Sequence, residues 1–250
     1  MLFTCITLAA GAQTISQHSV DSLRIVILHA KDDTGKVELM LTVAHAFIGR
    51  NTDEAIRYAQ QAADLAQMLH DKKDLEKAYN QLGNAYNEQE KYFKALKNYR
   101  GELALSKELG DQQMEGAALC NMGLVYAKVS YFRKAMKKYK QAKVLLQKID
   151  YKPFLAQTIE DMGGLDIKKE EYVKGIACFK QAAGLYRTID NKNGMVNSYN
   201  GLAMCYLKRH DYKNAEDFAL QGLELARRTG YAGGIDYANK RLDEIHAAKK

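Results

Sequence analysis

A forty-residue internal repeat constrains this chain more than any other feature of its sequence. When the sequence is written in rows of forty residues, one column holds leucine in five successive rows and another holds only small residues. The leucine column contains Leu65, Leu105, Leu145, Leu185 and Leu225, and the small column contains Ala55, Ala95, Ala135, Gly175 and Ala215. A fixed period of this length is typical of proteins in which each repeat is one supersecondary unit stacked on its neighbours.

The apolar residues within each row recur at the spacing of an α-helix. In one row, Leu82 and Tyr86 lie on one face of a first helix, and the polar stretch 87–91 separates it from a second helix. We expect Gly83 and Ala95 to lie where these antiparallel helices approach most closely, because larger side chains would push the axes beyond their usual separation of about 8–10 Å. Each row is therefore predicted to be a helix pair.

Composition agrees with an all-α fold. Of the 250 residues, 47% are apolar and 27% are charged, which is the usage of a globular chain and excludes wholesale disorder. Pro153 is the single proline, so little interrupts the helices. Gly110, Asp190 and Gly230 stand at row ends, where we expect helices to stop. The four cysteines form no CxxC pair, which excludes a disulfide-stapled mini-domain and a zinc-finger array.

One row resembles the tetratricopeptide repeat through the pattern Tyr79-x2-Leu82-Gly83-x2-Tyr86-x5-Tyr92-x2-Ala95-x3-Tyr99, which recurs over 120–142 and 199–215. The period of forty and the lack of proline at the row ends depart from the common form of this repeat. Both features are shared by a long-repeat branch found in signalling scaffolds and bacterial sensor proteins. The resemblance implies an all-α, right-handed superhelical solenoid of antiparallel helix pairs. The fourth row departs further, with Asp166 where the family pattern has tyrosine.

The same resemblance assigns structural roles to the small and aromatic columns. These predicted structural repeat positions are Gly83, Tyr86, Ala95, Gly123, Tyr126, Ala135, Gly163, Ala203, Tyr206 and Ala215. The five rows are placed at 36–75, 76–115, 116–155, 156–195 and 196–230. An N-terminal half-repeat over 13–35 and a helix within 231–250 are expected to cap the two ends, because the end repeats of a solenoid need a covering element.

The first twelve residues, MLFTCITLAAGA, differ in kind from the rest of the chain. Their apolar run ends in a small-x-small pattern before Gln13, which predicts a cleaved export signal over 1–12, although a basic start is missing. The alternative is an apolar helix packed on the body, with a lipid anchor at Cys5 as a minor option. The run is shorter than the roughly 20 residues of a membrane span, and no other stretch is long and apolar enough to be one.

By resemblance, the first helix of each row lines a concave groove that holds a peptide or a partner helix. The predicted groove residues are Lys77, Asn80, Asn84, Asn87, Asn121, Leu124, Glu160, Lys168, Asn200, Met204 and Lys208. Asparagine suits peptide binding because its amide can both accept from and donate to a peptide backbone. The alternative is that the asparagines form an exposed polar face with no ligand.

Heat-shock chaperone adaptors of this family grip a terminal carboxylate with two asparagines and three basic groups. Asn84 and Asn121 match the two asparagines, but the basic positions hold Asn80, Gln157 and Asp161. Because Asp161 would repel a carboxylate, that specificity is not expected. The first helix of the first row is apolar over 37–48, and we expect it either to be buried under the front half-repeat or to form an apolar pocket.

No sequence motif for catalysis, for a cofactor or for a metal is present. The chain lacks HExxH, G-x-S-x-G, a phosphate-binding loop and a dinucleotide fingerprint, and its six histidines fall in different columns. We therefore predict no enzyme activity, no cofactor and no metal site. The net charge of +7 is spread along the helices without a nucleic-acid-binding module, so no nucleic-acid partner is expected.

These observations predict a non-enzymatic scaffold that binds a protein or peptide of unknown identity. The first hypothesis places it outside the cytoplasm, periplasmic or secreted, as the input or adaptor part of a bacterial signalling system, provided that the signal over 1–12 is real. The alternative is a cytoplasmic peptide receptor of the quorum-sensing type. A mature chain that begins at Gln13 would exclude the cytoplasmic receptor.

Overall fold

A computed structural model describes residues 17–249, and these residues form twelve α-helices and no strand. The predicted all-α class is confirmed. The chain divides into two compact units, one ending at Val129 and the other beginning at Ser130. The predicted signal over 1–12 and the first residues of the front half-repeat lie outside the described residues.

Six helices belong to each unit. Unit 1 contains α1 (Gln17–His29), α2 (Thr34–Phe47), α3 (Thr52–Met68), α4 (Lys72–Glu88), α5 (Tyr92–Leu109) and α6 (Gln112–Lys128). Unit 2 contains α7 (Phe132–Lys148), α8 (Lys152–Lys168), α9 (Tyr172–Thr188), α10 (Lys192–Lys208), α11 (Tyr212–Thr229) and α12 (Ala232–Ala248). Successive helices pack on each other within each unit, so the helix pairs are formed by neighbours in sequence.

The period of forty arises because, from α3 onward, each helix with its turn takes twenty residues. From α3 to α11, each helix ends at a residue with positive φ, namely His70, Glu90, Gly110, Ser130, Asp150, Glu170, Asp190, His210 and Gly230. The predicted stops at Gly110, Asp190 and Gly230 are therefore confirmed. After α5, the Asp111 N–H donates to the Ser106 carbonyl at 2.8 Å, which closes the last turn.

The first helices of rows 2 to 5 begin at Lys72, Gln112, Lys152 and Lys192. Each begins four residues before the row boundary expected from the family pattern, because the helices of this long repeat extend one turn beyond the motif. We refer below to α4 and α5 as row 2, to α8 and α9 as row 4, and to α10 and α11 as row 5.

The small columns lie at the closest helix contacts, as expected. Ala95, Ala135 and Ala215 are fully buried. A β-carbon placed on Gly83 would lie 2.4 Å from the Tyr99 ring, and one on Gly163 would lie 3.0 Å from the Phe179 ring. Both distances are shorter than the ordinary contact between carbon atoms, about 3.5–4.0 Å. Glycine therefore lets the two helices of a row approach until an aromatic ring fills the remaining space.

The leucine column marks the edge of the core in most rows. Leu65 is buried, whereas Leu145 and Leu185 are half-buried. The following position is the deeper one, since Leu146 and Tyr186 are almost completely buried.

The apolar first helix of the first row, α2, is buried mainly against α3 and less extensively against α1 and α4, so the front half-repeat covers only part of it. Six residues of α2 are buried, namely Val37, Met40, Leu41, Val43, Ala44 and Phe47. Ile27 of α1 belongs to the same core. In unit 2, α12 packs on α10 and α11, and the Lys249 ammonium pairs with Glu216 at 2.5 Å.

Candidate functional site

In row 2, the predicted groove asparagines are joined in a chain of internal hydrogen bonds. The Tyr99 hydroxyl donates to Asn84 Oδ1 at 2.8 Å, and Asn84 Nδ2 donates to Asn80 Oδ1 at 3.1 Å. Asn80 Nδ2 then donates to Glu102 Oε1 at 2.8 Å. The bonds to Tyr99 and Glu102 join α4 to α5, so half of the hydrogen-bonding capacity of each amide serves the fold.

The chain ends at a carboxyl that the sequence analysis did not single out. Glu102 is 0% exposed, and Glu76 of the neighbouring helix is 1% exposed. Burial raises the pKa of Glu102 well above its ordinary value; the bond from Asn80 opposes this shift and the charge of Glu76 adds to it. Burial also raises the pKa of Glu76. One signal was present in the sequence: Glu102 stands in a column whose other members are Ala62, Ala142, Ala182 and Gly222.

The other predicted groove residues of unit 1 are dispersed rather than gathered in one site. Lys77 is half-buried and pairs with Asp74 at 2.8 Å, while Asn87 and Leu124 are buried. Asn121 is half-buried on α6. The structure thus does not bring the residues of α4 and α6 together into a single cluster of free polar atoms.

A cavity of about 720 Å³ lies at the other end of unit 1, between α1, α2 and α3. Arg24, Lys36, Arg57 and Glu54 line it, with Met40 among its apolar residues. Glu54 accepts from Arg24 at 2.8 Å and from Arg57 at 2.7 Å, and the bond from Arg57 is the main reason that its pKa is lowered. One carboxylate thus faces three cationic side chains, and Lys36 pairs instead with Asp32 at 2.8 Å, so the lining of this cavity is cationic on balance.

In unit 2, the polar residues of two first helices form what we call the α8–α10 face. It consists of Gln157, Glu160, Asp161, Asn197 and Asn200, all half-buried.

Aromatic hydroxyls hold this face in place. The Tyr186 hydroxyl donates to Gln157 Oε1 at 3.1 Å, and Gln157 Nε2 donates to Asp161 Oδ1 at 3.1 Å. The hydroxyl of Tyr231, just before α12, donates to Asn197 Oδ1 at 3.2 Å.

Both carboxyls of the α8–α10 face hold their protons more tightly than usual. Burial raises the pKa of Glu160 to about 8; the nearby Tyr186 hydroxyl opposes this rise, and the charge of Asp161 adds to it. Burial raises the pKa of Asp161 to about 7, against the bond from Gln157. No lysine, arginine or histidine is among the groups that act on either carboxyl in the described part of unit 2.

Three polar atoms on this face are buried without a partner. They are Glu160 Oε2 and both amide atoms of Asn200, Nδ2 and Oδ1. Asn200 occupies in row 5 the position of Asn80 in row 2, but the residue opposite it is Gly222 rather than a glutamate. The remaining predicted groove residues of unit 2 do not share this setting: Met204 is half-buried, and Lys168 and Lys208 are exposed.

The unusual Asp166 of the fourth row is buried inside unit 2. Its Oδ2 lies 3.8 Å from Cys178 Sγ, and burial raises the pKa of the Cys178 thiol to about 11. A thiol with a raised pKa is a poor nucleophile. Among residues 17–249, no group of three or more histidine, cysteine or acidic side chains has a metal-binding arrangement. Within that same range, no helix is both long and apolar enough to cross a membrane.

Comparison with known families identifies the repeat. A model of the tetratricopeptide repeat matches residues 74–147 and 154–228, which together are more than half of the chain. The chain belongs to the tetratricopeptide repeat family. The match covers the helix pairs from α4 to α11, so the sequence resemblance is confirmed. A search of curated proteins returned no match.

Solved structures with the same fold include several tetratricopeptide repeat proteins. A signal transduction ATPase with a tetratricopeptide repeat sensor, from Pyrococcus horikoshii, has a TM-score of 0.74 and 19% identity, covering 92% of this chain and 38% of that one. BtubC from P. vanneervenii has a TM-score of 0.71 and 18% identity over 85% and 89%. The quorum sensor NprR from B. thuringiensis, in its apo form, has a TM-score of 0.71 and 14% identity over 88% and 62%. At these identities the likeness shows the shared helical-solenoid fold.

Proposed function

We propose that this tetratricopeptide repeat protein is a non-enzymatic scaffold that binds a peptide or an extended segment of a protein. The observation that carries the proposal is the α8–α10 face, where unpaired polar atoms lie on the first helices of two successive rows. A peptide backbone carries donors and acceptors at every residue, so it complements a face of amides and carboxyls. Tetratricopeptide repeats generally serve protein interactions, which supports the same conclusion.

The biological setting is a second part of the proposal. The favoured role is the exported input or adaptor component of a bacterial signalling system, which rests on the apolar start of the sequence and on the sensor proteins that share its fold. The alternative role is a cytoplasmic peptide receptor, which the likeness to a quorum sensor supports. N-terminal sequencing of the protein from its own cells distinguishes them: a chain starting at Gln13 supports export, and one starting at Met1 supports the cytoplasmic receptor.

The binding role can be tested with random dodecapeptides displayed on phage and panned on the immobilised full chain. We expect the selected sequences to converge, and a synthetic peptide of the consensus sequence to bind one-to-one in isothermal titration calorimetry. Failure to select any convergent sequence, together with no saturable binding of the most frequent clones, would contradict the scaffold proposal.

A further inference from the structure

Among residues 17–249, no lysine, arginine or histidine acts on either carboxyl of the α8–α10 face. Glu160 and Asp161 are adjacent in sequence, and the α10 side of the face contributes only the uncharged amides of Asn197 and Asn200. From α9 and the start of α12, the nearby titratable groups are the hydroxyls of Tyr186 and Tyr231. An acidic pair that is structural in origin normally has a lysine or arginine against it, because an uncompensated buried charge is costly.

A separate observation is the unused hydrogen-bonding capacity beside these carboxyls. Glu160 Oε2 and the whole amide of Asn200 are shielded from solvent and lack partners. Leaving such an atom unpaired costs about 1–3 kcal/mol, so each of them gains from a partner that a ligand supplies. The face therefore has acceptors available for donors that the protein itself does not supply.

The face is also held in a defined arrangement before any ligand binds. Tyr186 holds the carboxamide of Gln157, and Gln157 in turn holds the Asp161 carboxyl, each through one hydrogen bond. Tyr186 is almost completely buried, so its hydroxyl is a rigid anchor. Pre-organised acceptors lose little conformational entropy when a ligand binds.

We propose that the α8–α10 face binds a positively charged group of the partner peptide, with Glu160 and Asp161 as its counter-charges. The cation is a lysine or arginine side chain or a free amino terminus, all of which present N–H donors with a full positive charge. This inference rests on the proposed peptide-binding function and specifies the ligand chemistry of one subsite.

The physical basis is that a bound cation reverses the effect of burial. In the free protein, burial favours the protonated forms of both carboxyls and raises the pKa of each. A cation at the face favours the ionised forms instead and converts neutral hydrogen bonds into charge-assisted ones, which are roughly twice as strong. Binding is therefore expected to release protons near neutral pH. It should strengthen as the pH rises from 6 to 9 for a lysine or arginine side chain, whereas for an amino terminus, whose own pKa is about 8, the gain should end near about pH 8.

The test uses C-terminally amidated hexapeptide libraries and the full-length chain, with binding measured by fluorescence polarisation. One library is acetylated, so lysine and arginine are its only permanent cations; the other has a free amino terminus. Three proteins are compared: the wild type, the isosteric double variant Glu160→Gln with Asp161→Asn, and the control Asp217→Asn with Glu224→Gln. The control removes two exposed carboxylates from α11. It matches the change in net charge at pH 9, where Glu160 and Asp161 are ionised as well.

For the wild type, we expect peptides with a cation to bind at least about tenfold more tightly than their uncharged counterparts. The Glu160/Asp161 variant should lose this preference and its pH dependence, while the α11 control keeps both. The library in which the preference appears identifies the source of the cation. Thermal unfolding of each variant confirms that it is folded.

Two results would overturn the inference, and they differ in what else they contradict. If peptides bind without a cation preference, or if the preference survives in the Glu160/Asp161 variant, the subsite is wrong and the scaffold function stands. If no peptide of either library binds the wild type, the proposed peptide-binding function fails together with the subsite.

Discussion

Rows 2 and 4 place carboxyls in the same helix-pair framework in two different ways. In row 2 the carboxyl of Glu102 is on the second helix and is completely enclosed, and Asn80 of the first helix donates to it. In row 4 the position of Asn80 holds Glu160, and the position of Glu102 holds Ala182. The carboxyl therefore lies on the first helix, half-buried, on the face where we propose that a peptide binds. Glu102 on the second helix is therefore an internal part of the fold, whereas Glu160 on the first helix is a candidate ligand group.

The largest predicted effect tests whether the row 2 asparagines are structural. Asn80→Ala removes the donor to Glu102 and the acceptor of Asn84, leaving two buried polar groups unpaired. We expect the free energy of unfolding to fall by about 2–3 kcal/mol, measured by chemical denaturation. In a Glu102→Ala background, which places alanine at position 102 as row 4 does at Ala182, Asn80→Ala should lower the free energy of unfolding by only about 1 kcal/mol. Equal costs in both backgrounds would show that the two residues are not coupled.

The row 4 carboxyls are predicted to make stability depend on pH. The folded-state pKa values of Glu160 and Asp161, about 8 and about 7, lie above their ordinary values of 4.5 and 3.8. The native state therefore binds more protons than the unfolded state, so this contribution is fully present below about pH 4 and is lost as pH rises toward 8.

The measurement is the difference between wild type and the Glu160→Gln/Asp161→Asn variant in unfolding experiments between pH 5 and pH 9. Substitution should remove a fall on the order of 2 kcal/mol; the quoted pKa values alone would give roughly 7 kcal/mol, but both carboxyls are half-buried and solvent screens part of the effect. Glu102 and Glu76 contribute a fall of the same sign, so the wild type alone does not isolate row 4. A variant whose pH profile runs parallel to that of the wild type would contradict the assignment.

A smaller effect compares the glycines at the two helix contacts. In Gly83→Ala, the new β-carbon would lie 2.4 Å from the Tyr99 ring, and the Tyr99 hydroxyl is hydrogen-bonded to Asn84. In Gly163→Ala, the new β-carbon would lie 3.0 Å from the Phe179 ring, which has no hydroxyl to hold it. Overpacking costs about 1–3 kcal/mol and alanine regains up to about 1 kcal/mol of helix propensity. We expect Gly83→Ala to destabilise the protein by about 1–2 kcal/mol, as measured by thermal unfolding, and Gly163→Ala to be close to neutral. If the two variants change the stability equally, the hydrogen bond between Tyr99 and Asn84 has no part in the effect.

The repeat framework was predictable because it depends on residue size and periodicity. Gly83 and Ala95 act through local geometry that recurs along their columns, so the sequence shows them directly. The left-handed stops recur by position, but only Gly110 and Gly230 among the nine are glycines, so residue type identifies few of them. The role of Asn80 was not predictable in this way, because its partner is 22 positions away on another helix and both residue types are usual on surfaces. Glu102 could have been recognised by its charge in a column of small residues.

The candidate site was predicted less completely for the same reason. Glu160 was predicted to lie in the groove. Asp161 was considered only because it does not match the basic position of a chaperone adaptor. The neutral residues that orient these two carboxyls were not predicted. Tyr186 contributes its hydroxyl from the second helix, and Tyr231 contributes from a turn beyond the last full row. A family pattern that assigns ligand contacts to first helices does not include such positions. Whether a residue at such a position contacts the site depends on the length and direction of its side chain rather than on its place in the period.

The smallest predicted effect concerns how the first helices of the two rows begin. Asp71 caps α4 by accepting from the Asp74 N–H at 3.0 Å, whereas Tyr151 at the start of α8 makes no side-chain cap bond and stacks on Phe154. We expect Asp71→Ala to lower the free energy of unfolding by about 1 kcal/mol, with Asp71→Asn as a control that retains the cap. Tyr151→Asn should be close to neutral, because a new cap offsets the lost ring contact. A loss at Tyr151 as large as that at Asp71 would mean that ring stacking, rather than capping, secures the start of α8.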